Sequence, residues 1–241
     1  LEFWIEMADY ELVNNAVYIR SGLPQLIPAI TNMLTQQASQ EEELDEHPDK
    51  DISKMASICL KLVVDCVGDD VYDHLRPFIA VGSTDMTCWR RRDAAYMAFG
   101  CMLPGVTTPV ASPLIELYLE SASVSPSGPL RLRHSAIWLT SQIIEHHIEA
   151  LSVLSFSSLL QVSMVALDDH NEVASMACFS LAKSSEIGPN TCQNFHVLKP
   201  VLAQQLKPAT QKLLQVANRD GRNTDLVIAA YETVSTWMSC V

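Results

Sequence analysis

The sequence predicts an all-α chain, an α–α superhelix built by stacking helix pairs. Two observations carry that expectation. First, an apolar helix rich in small residues recurs: MASICLKLVV from Met55, DAAYMAFGCML from Asp93, HSAIWLTSQII from His134, ASMACFSLA from Ala174 and IAAYETVSTW from Ile228. Aligned on Ser57, Ala95, Ala136, Ala177 and Ala230, the copies are 38, 41, 41 and 53 residues apart. Second, no stretch alternates apolar and polar residues between hairpin turns, and the 241 residues include only eight glycines.

A period near forty with two helices per unit is the pattern of a HEAT/armadillo-type solenoid. One such unit cannot bury its own apolar face, so neighbouring units cover one another and leave an extended surface for partners. The spacing of apolar residues places helices at 23–34, 52–67, 70–81, 91–103, 113–121, 130–147, 155–167, 172–184, 195–218 and 224–238. Pro24 is expected in the first turn of its helix, where its missing N–H costs nothing. Gly68 and Pro104–Gly105 are expected to stop helices, and SVSPSG and RDGRN to join them. The units then run 1–67 (with an acidic loop at 41–51), 69–105, 109–147, 150–187 and 195–241. The second helix of each pair is apolar nearly all round, as suits a layer flanked on both sides. The acidic, helix-like opening LEFWIEMADYE leads us to expect a piece of a longer solenoid.

Composition narrows the function. The formal net charge is −12, which argues against a general nucleic-acid binder and for basic partners. The hydrophobic fraction of 48% allows an extensive core. Seven cysteines include no CxxC pair, and several fall within apolar helices as small hydrophobes, so a reducing compartment is expected. No apolar run reaches the roughly 18 residues of a spanning helix, and neither a signal peptide nor membrane insertion is expected.

The most polar feature is the run Glu41, Glu42, Glu43, Asp45, Glu46, Asp49 and Asp51, interrupted by Lys50, with a net charge of −6. Lying between two helices of one unit, it is placed to attract a lysine- or arginine-rich segment; otherwise it is a solvated loop. Arg90, Arg91 and Arg92 follow Trp89; one of them is expected to pair with Asp85 or Asp93. Among Tyr96, Trp138, Phe179, Tyr231 and Trp237, some belong to the core, and an exposed one would anchor a basic side chain through a cation–π contact. Catalytic patterns are weak. Ser180 and Lys183 match S-x-x-K without companion motifs, and His146 and His147 point about 100° apart on a helix without H-E-x-x-H. No enzyme activity, cofactor or metal is expected.

Several segments resemble the central part of the importin-β family of karyopherins. The most specific is WRRRDAAYMAFGCMLPG, Trp89 to Gly105, similar to W-R-x-R-D-A-A-x-M-A-F-G-C-x-L-x-G of that family. LPQLIPAITNMLTQQ before the acidic run, DHLRPFI, AIWLTSQI, EVASMAC and DLVIAAYETV follow in order. The resemblance implies a nuclear transport receptor of protein import, present in cytoplasm and nucleus and at the nuclear pore. It implies contact of the acidic run with the small GTPase Ran and with the basic helix of the adaptor importin-α or with basic cargo, and nucleoporins as further partners. It implies that Trp138 occupies a family position for tryptophans that hold basic residues. Lys50 and Phe179 stand at two others. The rival expectation is a HEAT-repeat scaffold subunit without GTPase control.

Overall fold

Alanine lets two helices approach closely, and the recurring alanines lie where helices meet. Ala95, Ala136 and Ala177 are 0% exposed and Ala230 is 1% exposed. The computed structural model describes residues 16–37, 51–121, 128–188, 192–219 and 224–240. Among them are α1 (Val17–Leu34), α2 (Ile52–Val67), α3 (Tyr72–Ser83), α4 (Trp89–Met102), α5 (Thr108–Ser121), α6 (Leu130–His147), α7 (Val153–Ala166), α8 (Asn171–Ser185), α9 (Phe195–Ala217) and α10 (Thr224–Cys240), with no strand among the described residues. Short 3-10 turns follow α2, α4 and α6.

Every expected helix is present, and two begin five or more residues earlier than expected. The first starts at Val17 rather than Leu23 and holds Pro24 and Pro28 inside it. The fifth starts at Thr108 rather than Pro113. An internal proline removes one intrahelical hydrogen bond. In α1 that loss is outweighed by burial of Ile19, Leu23, Leu26, Ile27, Ile30 and Leu34, so packing overrides the breaker. Gly68 ends α2 as expected, with a φ of 60° that a side chain would disfavour.

The chain divides into two compact units, Leu1–Ser121 and Ala122–Val241. In the first, α1, α3 and α5 form one layer and α2 and α4 the other, with α1 against α2 and α3 against α4. In the second, α7 and α9 form one layer and α6, α8 and α10 the other, with α7 against α8 and α9 against α10. This alternation of layers is what a helix-pair solenoid requires. The second helices α4, α6 and α8 are buried on most sides, as expected. Two second helices depart from that expectation: α2 exposes Ile58, and α10 exposes Ile228, Tyr231 and Met238. Among the described residues α10 packs mainly against α8 and α9.

Two kinds of contact set the spacing of the helices. The first is steric. A Cβ on Gly82 of α3 would lie 2.7 Å from the Ala95 Cβ and 3.1 Å from the Arg91 carbonyl, so α3 and α4 touch backbone to methyl. The second is polar. Trp237 of α10 is buried and its Nε1 donates to the Leu181 carbonyl at 2.6 Å, while Thr233 Oγ1 donates to the Cys178 carbonyl at 3.0 Å. Ser163 and Ser180 share a buried hydrogen bond of 2.9 Å between α7 and α8. Arg133 of α6 grips Asp169, just before α8, through Nε at 2.7 Å and Nη2 at 2.8 Å, and also donates to the Gly128 carbonyl. Burial pushes the Asp169 carboxyl up, but the hydrogen bonds from Arg133 and from the His170 backbone outweigh it and hold the group below its ordinary range.

Two predictions follow from these contacts. Gly82→Ala gains about 1 kcal/mol of helix propensity but meets an overpacking cost of about 1–3 kcal/mol. A net destabilisation is therefore expected in urea unfolding, and a rise in stability would show that α3 and α4 are not in close contact. Because the folded Asp169 carboxyl titrates below its unfolded value, its contribution is present above about pH 4 and is lost as pH falls through the folded value. Asp169→Asn should lower stability near neutrality by about 1–3 kcal/mol and flatten the acid limb of the stability profile. A full-sized acid limb in the variant would assign that limb to other carboxylates.

Candidate functional site

A basic ligand needs carboxylates and aromatic faces that are not used up by the fold. In the first unit the acidic run is the sequence's candidate. Glu41, Glu42, Glu43, Asp45, Glu46 and Asp49, together with Lys50, lie outside the described residues. Its two flanks are described. At one end Gln37 is buried, its Nε2 donating to Asp93 Oδ2 at 3.0 Å and to the Arg90 carbonyl at 2.9 Å. Arg90 returns a hydrogen bond from Nε to the Gln37 carbonyl at 3.2 Å and lies 4.8 Å from the centre of the Trp89 ring. At the other end Asp51 is the N-cap of α2, accepting from the Ser53 and Lys54 amides at 2.9 and 3.3 Å and from Ser53 Oγ at 2.6 Å. Asp51 is thus occupied in starting a helix, which Ser/Thr/Asp residues do by satisfying its first amides. The arginine run behaves as expected in one respect: Arg91 pairs with Asp85 at 3.1 Å. Arg92 donates to Met86 Sδ at 2.9 Å.

In the second unit, α6 and α8 carry the other candidates. Trp138 lies two residues after Ala136 and Phe179 two residues after Ala177, so they hold one register position on neighbouring helices of one layer. Trp138 is half-buried, and Phe179 is 42% exposed, which makes it an available aromatic face. Glu232 takes the same position on α10 and is exposed. The remaining aromatics divide: Tyr96 and Trp237 are core, and Tyr231 is exposed.

One turn beyond Phe179 is Lys183, whose ammonium lies 5.4 Å from the centre of the phenyl ring. The same nitrogen is 3.0 Å from Glu145 Oε1 on α6 and 3.0 Å from Glu186 Oε2. The Glu145 hydrogen bond, ahead of burial, holds the Lys183 ammonium above its ordinary range. An aromatic face and two carboxylates therefore converge on one cation. In the sequence Lys183 stands out only as the end of S-x-x-K and Glu145 only as the neighbour of His146 and His147, neither as part of a basic-ligand surface. The available signals were the i,i+4 spacing of Phe179 and Lys183 and the 38 residues, nearly one repeat, between Glu145 and Lys183.

Two patterns that look catalytic in the sequence are placed apart from such a role among the described residues. Ser180 is 0% exposed and bonded to Ser163, so S-x-x-K has no accessible hydroxyl. His146 is exposed while His147 is buried, as their angular separation requires. Burial raises the Cys101 and Cys178 thiols to about 12, which keeps them protonated near neutrality. Among the described residues no three His, Cys, Asp or Glu side chains are grouped to hold a metal ion. No described helix is long and apolar enough to cross a membrane.

No family model matches the chain. Importin subunit beta-1 of Arabidopsis thaliana is 26% identical over 272 residues, covering 100% of this chain and 29% of that protein. Importin subunit beta-1 of Schizosaccharomyces pombe is 23% identical over 225 residues, covering 92% of this chain and 25% of that protein. Along its whole length the chain is similar to importin-β proteins. It spans between a quarter and three-tenths of the length of these relatives. Solved importin-β structures share its HEAT-repeat fold. Kap95p in a structure with RanGDP superposes on all of it with a TM-score of 0.83 at 19% identity, over 29% of that protein. The Kap95:Nup1 complex gives 0.83 at 20% identity, covering 100% of this chain and 28% of that one. Among the described residues of this chain, Phe179, Glu145 and Glu186 gather around the Lys183 ammonium, and Trp138 holds the register position of Phe179 on α6.

Proposed function

We propose that this chain is part of a nuclear transport receptor that binds basic cargo or adaptor segments and is regulated by Ran in its GTP state. It would work in the cytoplasm and the nucleus and pass the nuclear pore. The observation that carries the reading is the Phe179, Glu145 and Glu186 cluster, which already holds an ammonium group in a chain of net charge −12 that is similar to importin-β proteins. Kinship to proteins solved with RanGDP and with Nup1 supports Ran and a nucleoporin as partners. The repeat boundaries set out above, and the acidic run from Glu41 to Asp51 as a Ran- or adaptor-facing segment, belong to the same proposal.

The mechanism is non-covalent. A lysine- or arginine-rich segment of importin-α or cargo lies along the second-helix layer, its stems on Trp138 and Phe179 and its charges on nearby carboxylates. Ran·GTP binds overlapping surface and favours a cargo-free arrangement, so release follows from a difference in affinity between states.

Binding of a labelled lysine/arginine-rich adaptor peptide at two salt concentrations tests this. Binding should be strong at low salt and fall at high salt, since exposed charge pairs are screened. Trp138→Ala should weaken it by about 2 kcal/mol if the indole is a hot spot. Ran locked in its GTP form should displace the peptide. A HEAT scaffold without GTPase control would leave the peptide bound, and absence of low-salt binding would remove the receptor reading.

A further inference from the structure

The cation held between Phe179, Glu145 and Glu186 is not a ligand but the chain's own Lys183. We propose that Lys183 is a built-in competitor: it occupies the subsite that a basic residue of a docking segment would take, and that residue enters by displacing it. This rests on the receptor reading above and specifies which basic residues of a partner count.

The geometry of the subsite is complete without any added group. The ammonium stands 5.4 Å from the ring centre, within cation–π range. Two carboxylates from different positions close on it at 3.0 Å each, Glu145 from α6 and Glu186 from the end of α8. All three partners remain open to an incoming chain: Phe179 is 42% exposed, and the Glu145 and Glu186 side chains are 31% and 53% exposed. Lys183 itself is the least exposed of the set, its side chain 19% accessible, so the occupant lies beneath its partners.

This arrangement sets the energetics of docking. A ligand lysine that replaces Lys183 exchanges one ammonium for another over the same ring and carboxylates, with little net electrostatic gain. The ligand meanwhile loses conformational freedom, which disfavours the exchange. With Lys183 in place the subsite therefore contributes weakly, and affinity depends on Trp138 and on the acids elsewhere. Removing the Lys183 charge while keeping its stem should convert the cluster into a vacant site with uncompensated negative charge. The occupant class is narrow: a single lysine or arginine side chain within a segment that also reaches Trp138.

The test measures binding of a labelled lysine/arginine-rich peptide to the full chain by fluorescence anisotropy at low and moderate salt. Lys183→Met and Lys183→Gln are compared with Lys207→Met, which makes the same charge change at an exposed position on α9. Thermal melts by circular dichroism show that each variant is folded. Lys183→Met and Lys183→Gln should each tighten binding by about 3- to 10-fold, the range of one cation–π and charge contact. Lys207→Met should change it by less than about 2-fold, as screening of an exposed charge dictates. Glu145→Gln added to Lys183→Met should abolish the gain. If either folded Lys183 variant binds no more tightly than Lys207→Met while Trp138→Ala still weakens binding, the competitor is disproved and the receptor reading stands. If the peptide binds none of the proteins at low salt, both fall.

Discussion

Two helices touch along their backbones only where neither carries more than a methyl group at the crossing, and α3 and α4 obey that limit. Gly82 against Ala95 is an instance, with no room for a second Cβ. Ala136, Ala177 and Ala230 are buried at the equivalent places on α6, α8 and α10. Small residues at these points let each helix pair bury its apolar face against the next, which a solitary pair cannot do. The fold's polar ties are then secondary in area but exact in position. Trp237 and Thr233 hang α10 on the carbonyls of α8, and Arg133 ties α6 to the start of α8 through Asp169.

The same constraint positions the candidate site. Once Ala136 and Ala177 fix α6 and α8 side by side, residues two positions on are placed alike, and Trp138 and Phe179 share a register. The residues farther along reach across the seam, which is how Glu145 meets Lys183. The layer thus supplies rigid spacing at no cost to the site: no strained backbone is involved, since the one positive-φ non-glycine among the described residues is Ala16, far from it in sequence. In the first unit the same register positions hold Cys59, which is buried, and Met97. Aromatic faces at this register belong to the second unit alone among the described helices.

Much of the architecture was legible because it is written in residue size and period. Five copies of a small-residue helix gave the layers, and Gly68 gave a helix end. Helix starts were less legible, because Pro24 and Pro113 look like initiators while burial carries α1 and α5 past them. Trp237 could not be told from a surface anchor by sequence, since its burial depends on a carbonyl 56 residues away. Asp51 read as one more acid of a charged run, whereas local geometry makes it a helix cap. Lys183 was hidden for a related reason: its partners are a ring one turn back and a carboxylate on another helix, and only folding unites them.

The central claim is that the α6–α8 layer receives a basic segment over Trp138 and Phe179. Hydrogen–deuterium exchange of the chain with and without a lysine/arginine-rich peptide tests it most directly. The account predicts slowed exchange in α6 and α8, concentrated in the stretches 138–145 and 179–186, with α7 and α9 little changed. Peptide binding that leaves α6 and α8 unprotected and slows α7 or α9 instead would contradict it.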